Sequence, residues 1–431
     1  MIRNIILVLL TIISLQTVVA QDASTKPNPW AGKSDAELRK IADELAHKYI
    51  ITDGHVDLPY RLETKNFRLT KEFIGIPVET TEGDFDYVRA KKGGLDAPFM
   101  SIYIPSSYQE TGGAKEFADS LIDMVRGIAD AHPDKFKIAF RPSDVEANFK
   151  KGIISLPMGM ENGAPIGDSI QNVEYFYKRG IRYITLTHGK DNLICDSSYD
   201  TTHTWNGLSP FGREVVREMN RVGIMVDISH VSDSAFYQAV ALSAVPCIAS
   251  HSSVRAFTPD FIRNMNDDMI KFLAKKKGVI QINFGSSFLD QKIRDYQDQK
   301  REELRILLEK KGLKMDDDAA KPIIEDFRKK NPTLYADVEK VADHIDHVVK
   351  IAGIDHVGLG SDFDGVGDSL PTGLKDVSQY PNLIYALLKR GYSEEDIAKI
   401  CYKNVFRVWD RADRYAKQMK DRNKRAKESN N

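Results

Sequence analysis

The chain has 431 residues, 42% hydrophobic and 29% charged, and its 61 Lys and Arg against 62 Asp and Glu leave a formal charge of −1. This balance fits one large globular domain or two ordinary ones and excludes a mostly disordered protein. Near-neutrality also gives no support to a nucleic-acid partner or an anionic membrane surface, either of which calls for a basic excess.

At the N-terminus one positive charge (Arg3) precedes an apolar run from Ile5 to Leu15, and Val18-Val19-Ala20 then supplies small residues before Gln21. The pattern predicts a secretory signal peptide over 1–20, cleaved after Ala20. It implies a secreted or periplasmic location, because the apolar run is too short to span a bilayer and leaves no stable membrane anchor. Residues 21–33 read as a polar, flexible lead-in. Ser34-Asp-Ala-Glu37 is a capping box opening a helix that runs to about Tyr49.

Beyond it, short apolar runs alternate with longer helical patterns. The candidate strands are Ile50–His55, Phe99–Ile104, Ile153–Met158, Ile181–Leu186, Ile224–Ile228, Cys247–Ser250, Val279–Phe284 and Val357–Gly360. Their apolar runs are continuous, as in parallel strands buried on both faces. Helical patterns fall at Glu116–His132, Ser169–Arg179, Gly212–Val222, Asp233–Leu242 and Asn266–Lys276. Eight strands alternating with helices predict an α/β fold, a (β/α)8 TIM barrel over 34–410. No Gly-rich phosphate loop follows an early strand, so a doubly wound sheet is disfavoured. The charged stretch 289–340 reads as a helical insertion before the last strand, either a cap or oligomer contact or a solvated hairpin. Residues 411–431 form a polar basic tail, read as a solvated helix that frays.

Three cysteines, Cys195, Cys247 and Cys401, are too few and too scattered for a disulfide-built scaffold; at most one bridge is available. Cys247 lies in an apolar run and reads as a buried small side chain.

The strand ends carry the chemistry. Strand one ends in Asp53-Gly-His55-Val-Asp57, strand three in Met158-Gly-Met-Glu161, strand four in Thr185-Leu-Thr-His188, strand five in Asp227-Ile-Ser-His230, strand six in Ser250-His251 and strand eight in Gly360-Ser-Asp362-Phe-Asp364-Gly365. In a barrel these C-terminal ends meet on one face. His55 and Asp57, two apart on an extended chain, point the same way. Four of the ten histidines occupy this one kind of position, and the other six read as structural or surface residues. Imidazole and carboxylate without thiolate suits zinc or a similar divalent ion. The donors exceed what one catalytic ion needs, whereas two ions roughly 3.5 Å apart would use them all.

These motifs, with Arg263-Asn, occur in the order found in the membrane (renal) dipeptidase family of dizinc metallopeptidases, and the resemblance runs from about Tyr49 to Val408. It implies a zinc-dependent dipeptidase using a metal-bridged hydroxide, with two Zn2+ per chain bridged by Glu161 and a water or hydroxide. It implies His55 and Asp57 as ligands of one zinc and His230 and His251 as ligands of the other. Asp362 is implied as the acid/base, with Asp364 its rival, and His188 as the residue that contacts substrate and stabilises the oxyanion. Arg263 is implied as the anchor for the substrate's C-terminal carboxylate, against the alternative of a surface residue after a loop. The expected partner is a small peptide, including dipeptides with a C-terminal D-residue, and a homodimer stays open. The family's mammalian lipid anchor and disulfides find no support in this sequence. Two other readings remain: an N-acyl amino acid or lactone hydrolase on the same centre, or a non-catalytic binding protein on the same fold.

Overall fold

The computed structural model describes residues 28–64, 75–315 and 317–429. The expected signal peptide over 1–20, and most of the lead-in after it, lie outside the described residues. Ten strands occur among them: β1 (Ile51–Val56), β2 (Leu95–Tyr103), β3 (Phe136–Ile138), β4 (Ile154–Leu156), β5 (Met158–Glu161), β6 (Ile181–Thr185), β7 (Met225–Asp227), β8 (Ile248–Ser252), β9 (Val279–Ile282) and β10 (Val357–Leu359). Eight form one parallel sheet in the order β1-β2-β5-β6-β7-β8-β9-β10. The ring is completed just past β10, where the Asp57 N–H donates to the Phe363 carbonyl at 2.8 Å and the Asp362 N–H to the His55 carbonyl at 3.1 Å. Helices lie between successive strands, so the architecture is the expected (β/α)8 barrel.

One strand differs from its expected position. The run 153–158 is divided at Pro157, and Ile154–Leu156 pairs with Phe136–Ile138 in a separate two-stranded sheet. The third barrel strand is therefore Met158–Glu161, paired with β2 and β6. The helices follow their local signals. Ser34 and Glu37 form the capping box of helix Asp35–Lys48. Ser209, Ser232 and Asn266 each cap a following helix through their side chains, with Pro210 in the first turn after Ser209.

The basic tail continues without a break from the core: one helix spans Asn404–Ser429. Its first turns carry Val405, Phe406, Val408, Trp409 and Ala412 into a buried cluster with Phe99, Tyr183, Met225 and Ile248. Trp409, ring to ring with Phe99 at 5.1 Å, closes that end of the barrel. The segment 289–340 holds helices Gln291–Glu309 and Lys321–Lys330, which bury Leu304, Leu308, Ala320 and Ile324 against one another. It also reaches the rim, where the Arg294 guanidinium sits 3.7 Å over the Phe261 ring. No helix among the described residues is long and apolar enough to cross a membrane. All three cysteines are free and buried.

Candidate metal centre

Each strand end delivers its side chain where the sequence pattern put it. His55 and Asp57 leave the end of β1 and the residue after it, and Glu161 is the last residue of β5. His230 sits between β7 and helix Asp233–Leu242. Ser232 caps that helix, and His230, two residues earlier, takes a left-handed φ of 68°. His251 lies on β8, and Asp362, with φ 64°, lies just beyond β10. Non-glycine residues in this region are uncommon and strained, and here two of them point inward at one centre.

Glu161 is the hub. Its Oε2 lies 3.3 Å from His55 Nε2, and its Oε1 lies 3.0 Å from His230 Nε2, 3.2 Å from His251 Nε2 and 3.6 Å from His188 Nε2. Asp57 Oδ2 approaches the same His55 Nε2 to 3.3 Å. Donor atoms within 4.8 Å of one another fall into three sets: His55, Glu161 and His251; Glu161, His188 and His230; and His55, Asp57 and Asp362. Glu161 belongs to two of these sets, and its two oxygens face different imidazoles, Oε2 that of His55 and Oε1 those of His188, His230 and His251, as a bridging carboxylate requires. His188 falls in the donor cluster with Glu161 and His230. Asp362 falls beside His55 and Asp57, so it shares their side of the centre.

The residues fit divalent cations. His55 Nε2 and Asp57 Oδ1 are buried with no hydrogen-bond partner among the described residues. His230 and His251 turn their Nε2 atoms toward each other at 2.8 Å and toward the same carboxylate oxygen. Buried polar atoms without protein partners, converging on one point, are what a cation satisfies. Burial lowers His230 and His251 well below the ordinary imidazole value, aided by the charge of Arg263 on both, so both sit in the neutral, ligating form. Burial pushes Glu161 up, but the surrounding imidazoles of His55, His188, His230 and His251 outweigh it and hold the carboxyl well below its usual range. Burial also pushes Asp362 up to about 7, with Asp57 and Glu161 adding to the effect against His55. A cation in the cluster draws all these values down.

The two rivals at the end of β10 separate cleanly. Asp362 Oδ2 accepts from Asn283 Nδ2 at 2.7 Å and faces the cluster. Asp364 turns away: its Oδ2 lies 3.3 Å from Arg61 Nε, and its Oδ1 accepts from the Asp84 N–H at 2.6 Å, while its own N–H donates to Asp84 at 2.8 Å. That reciprocal clamp ties the segment before helix Tyr87–Gly93 to the rim and leaves Asp364 no path to the centre. Gly365 lies over the site, where an added Cβ would stand 2.2 Å from both Asp362 Oδ1 and Asp57 Oδ2.

Arg263 is buried, donating from Nη1 to Ser252 Oγ at 2.6 Å and from Nη2 to the His251 carbonyl at 2.7 Å. Its Nε–H is buried without a partner among the described residues. The alternative of a surface arginine is thereby corrected: the chain turns back after β8 and tucks the guanidinium under His251. His188 is partly exposed, with its ring 4.8 Å from Tyr103 and 4.1 Å from His230. Past Glu161, Gly163 borders a cavity of about 630 Å3 lined also by Tyr108, Lys115, Asn192 and Trp205. Asn283 was not anticipated, although an asparagine at the end of strand seven was the available signal. Tyr103 and Tyr199, whose rings stand against His188 and His230, carry no local signal at all.

Comparison with known proteins agrees with this geometry. The family model described as membrane dipeptidase (peptidase family M19) matches residues 39–423. The chain is 33% identical over 392 residues to a protein named dipeptidase tcpJ from Claviceps purpurea, covering 88% of this chain and 81% of that one. Among solved structures it resembles the probable dipeptidase PvdM from Pseudomonas aeruginosa, with a TM-score of 0.73 and 27% identity over 88% of this chain and all of that one. It also resembles a metallopeptidase from Rhodobacter sphaeroides liganded with a phosphinate mimic of L-Ala-D-Ala, with a TM-score of 0.69 and 25% identity over 84% of this chain and 99% of that one.

Proposed function

The chain belongs to the membrane dipeptidase family and is a metallo-dipeptidase; on that premise we propose that it is an exported, zinc-dependent enzyme holding two ions and cleaving dipeptides, C-terminal D-residues included. The observation that carries the two-ion reading is Glu161, whose Oε2 faces His55 while its Oε1 faces His230 and His251. His55 and Asp57 would hold one ion, His230 and His251 the other, with Glu161 between them. Zinc held by these residues would supply Lewis acidity and would lower the pKa of a bound water toward neutrality.

The chain's own residues do the rest. Asp362, buried beside His55 and oriented by the Asn283 amide, takes the proton of the attacking water and returns it to the leaving amine. His188, at the open edge of the cluster, donates to the oxygen of the tetrahedral intermediate. Arg263 takes the free carboxylate of the substrate, which restricts the enzyme to very short peptides. The tolerance for a C-terminal D-residue is supported by the phosphinate mimic bound to the Rhodobacter sphaeroides relative. Export is supported by the charged, apolar and small-residue pattern of residues 1–20.

The test is one preparation assayed twice, for zinc per chain and for hydrolysis of L-L dipeptides, L-D dipeptides and N-acyl amino acids. Two zinc ions and turnover of both dipeptide classes are expected. Turnover of N-acyl amino acids with no dipeptide cleaved would overturn the substrate assignment, and one zinc or none would overturn the two-ion centre.

A further inference from the structure

The imidazoles of the centre are held from behind in different ways. His55 Nδ1 lies 2.9 Å from the Tyr183 hydroxyl, and that hydroxyl donates to the Gly54 carbonyl at 3.0 Å. A carbonyl only accepts. If the tyrosine proton went to His55 instead, two oxygens would face each other lone pair to lone pair. The proton therefore belongs to the Tyr183–Gly54 bond, and Tyr183 Oη accepts from His55 Nδ1–H.

His251 repeats the logic with one more link. Its Nδ1 lies 2.8 Å from Ser250 Oγ, and Ser250 Oγ donates to Asp227 Oδ2 at 2.6 Å. Asp227 also accepts from Thr185 Oγ1 and from the backbone N–H groups of Ser229 and Ser250. Four donors occupy the carboxylate, so it has only acceptor capacity to offer Ser250. The single serine proton goes to Asp227, and Ser250 Oγ accepts from His251 Nδ1–H. In both cases the Nε2 lone pair is left facing Glu161.

The surroundings are shaped for these contacts. Tyr183 lies on β6 with its ring against β5 at Gly159, where a Cβ would fall 2.0 Å from the ring. Asp227 closes β7 and is completely buried. By contrast, His230 Nδ1 is buried without a partner among the described residues.

We propose that Tyr183, and Ser250 together with Asp227, are positioning residues that fix His55 and His251 in the Nδ1-protonated tautomer, each serving one half of the centre. This rests on the reading of His55 and His251 as ligands of different ions. Hydrogen-bonded partners of this kind raise ligand basicity and hold ring orientation, and their loss weakens metal affinity about ten- to hundredfold.

The experiment is competition of zinc between the protein and a chromophoric chelator, resolving the two binding steps, with the wild type beside Tyr183→Phe, Ser250→Ala, Asp227→Asn and His251→Ala. Far-ultraviolet circular dichroism shows that each variant is folded. Tyr183→Phe is expected to weaken one step about ten- to hundredfold, and Ser250→Ala the other step only, with Ser250→Thr restoring it. A purely structural role would move both steps together or neither. Ser250→Ala and Tyr183→Phe that bind both ions as tightly as wild type, while His251→Ala loses one, would overturn the proposal and leave the ligand assignment standing. Full binding by His251→Ala would overturn the ligand assignment itself.

Discussion

His344 links the fold to the site, and its chemistry sets a measurable pH dependence. Fully buried on helix Val338–Ala352, it accepts the Val254 N–H at Nδ1 and donates from Nε2 to the Leu289 carbonyl, both at 3.0 Å. It thus joins the turn after β8, which carries Arg263, to the start of the segment before β10. Burial lowers its pKa from 6.5 to about 4, because a proton on Nδ1 would strand the Val254 N–H and bury a charge. Above pH 6.5 the ring is neutral in folded and unfolded chains alike, and stability is unaffected. Between 6.5 and 4 the unfolded chain binds the proton and the folded chain does not, so stability falls as the pH falls. From pH 6.5 to 4.5 the loss is about 2 kcal/mol. In His344→Asn the amide oxygen takes over the Val254 contact without titrating. Urea unfolding of both proteins at the two pH values isolates the effect, since every other titrating group cancels in the difference. The variant is expected to lose about 2 kcal/mol less than wild type on acidification. Equal losses would refute the assignment of a neutral, non-titrating His344.

Asp362→Asn is expected to keep both zinc ions and lose turnover about 10²- to 10⁴-fold, the span of acid–base catalysis; full activity would remove Asp362 from that role. Arg263→Lys keeps the charge but loses the fork, and a rise in dipeptide KM of about tenfold or more is expected. A dipeptide amide should distinguish the two proteins little, and if the amide loses as much as the free acid, Arg263 does not read the carboxylate. Gly365→Ala introduces a Cβ 2.2 Å from two site carboxylates, so metal affinity should fall with little change in melting temperature of the metal-free protein. A large drop in that temperature instead would make Gly365 a folding residue. Burial raises Cys247 and Cys401 to about 12 and pushes Cys195 well above the ordinary thiol range, so native protein should leave a thiol reagent unreacted at pH 8, while denatured protein shows three thiols. A native thiol that reacts within seconds would contradict their burial.

Much of this centre was legible because barrel geometry converts a one-dimensional pattern into a three-dimensional one. Any polar residue at the end of an apolar strand must arrive at one face, which is why His55, Glu161, His188, His230, His251 and Asp362 converge though spread over some three hundred positions. Capping chemistry is equally local, so Ser34 and Glu37 announce their helix. Short strands without alternation are not legible: Phe136–Ile138 has three residues, one of them an exposed lysine, and no periodicity can emerge from it. The offset of the third barrel strand has a related cause, since an apolar run crossing Pro157 gives no sign of which half joins the ring. Contacts made across the fold were also hidden. That Asp364 serves Arg61 and Asp84 rather than the centre depends on pairs separated by about 300 residues, and sequence spacing offers nothing to separate it from Asp362. The contacts of Tyr183 belong to the same class.

The proposed two-ion centre depends on Glu161 as the shared oxygen donor. Glu161→Gln keeps the shape and removes the charge that faces His55, His188, His230 and His251. Zinc per chain and dipeptide turnover, measured on that variant beside the wild type, test the claim directly. Both ions and all turnover are expected to be lost together while the fold persists. A Glu161→Gln enzyme that retains two zinc ions and wild-type turnover would contradict the claim.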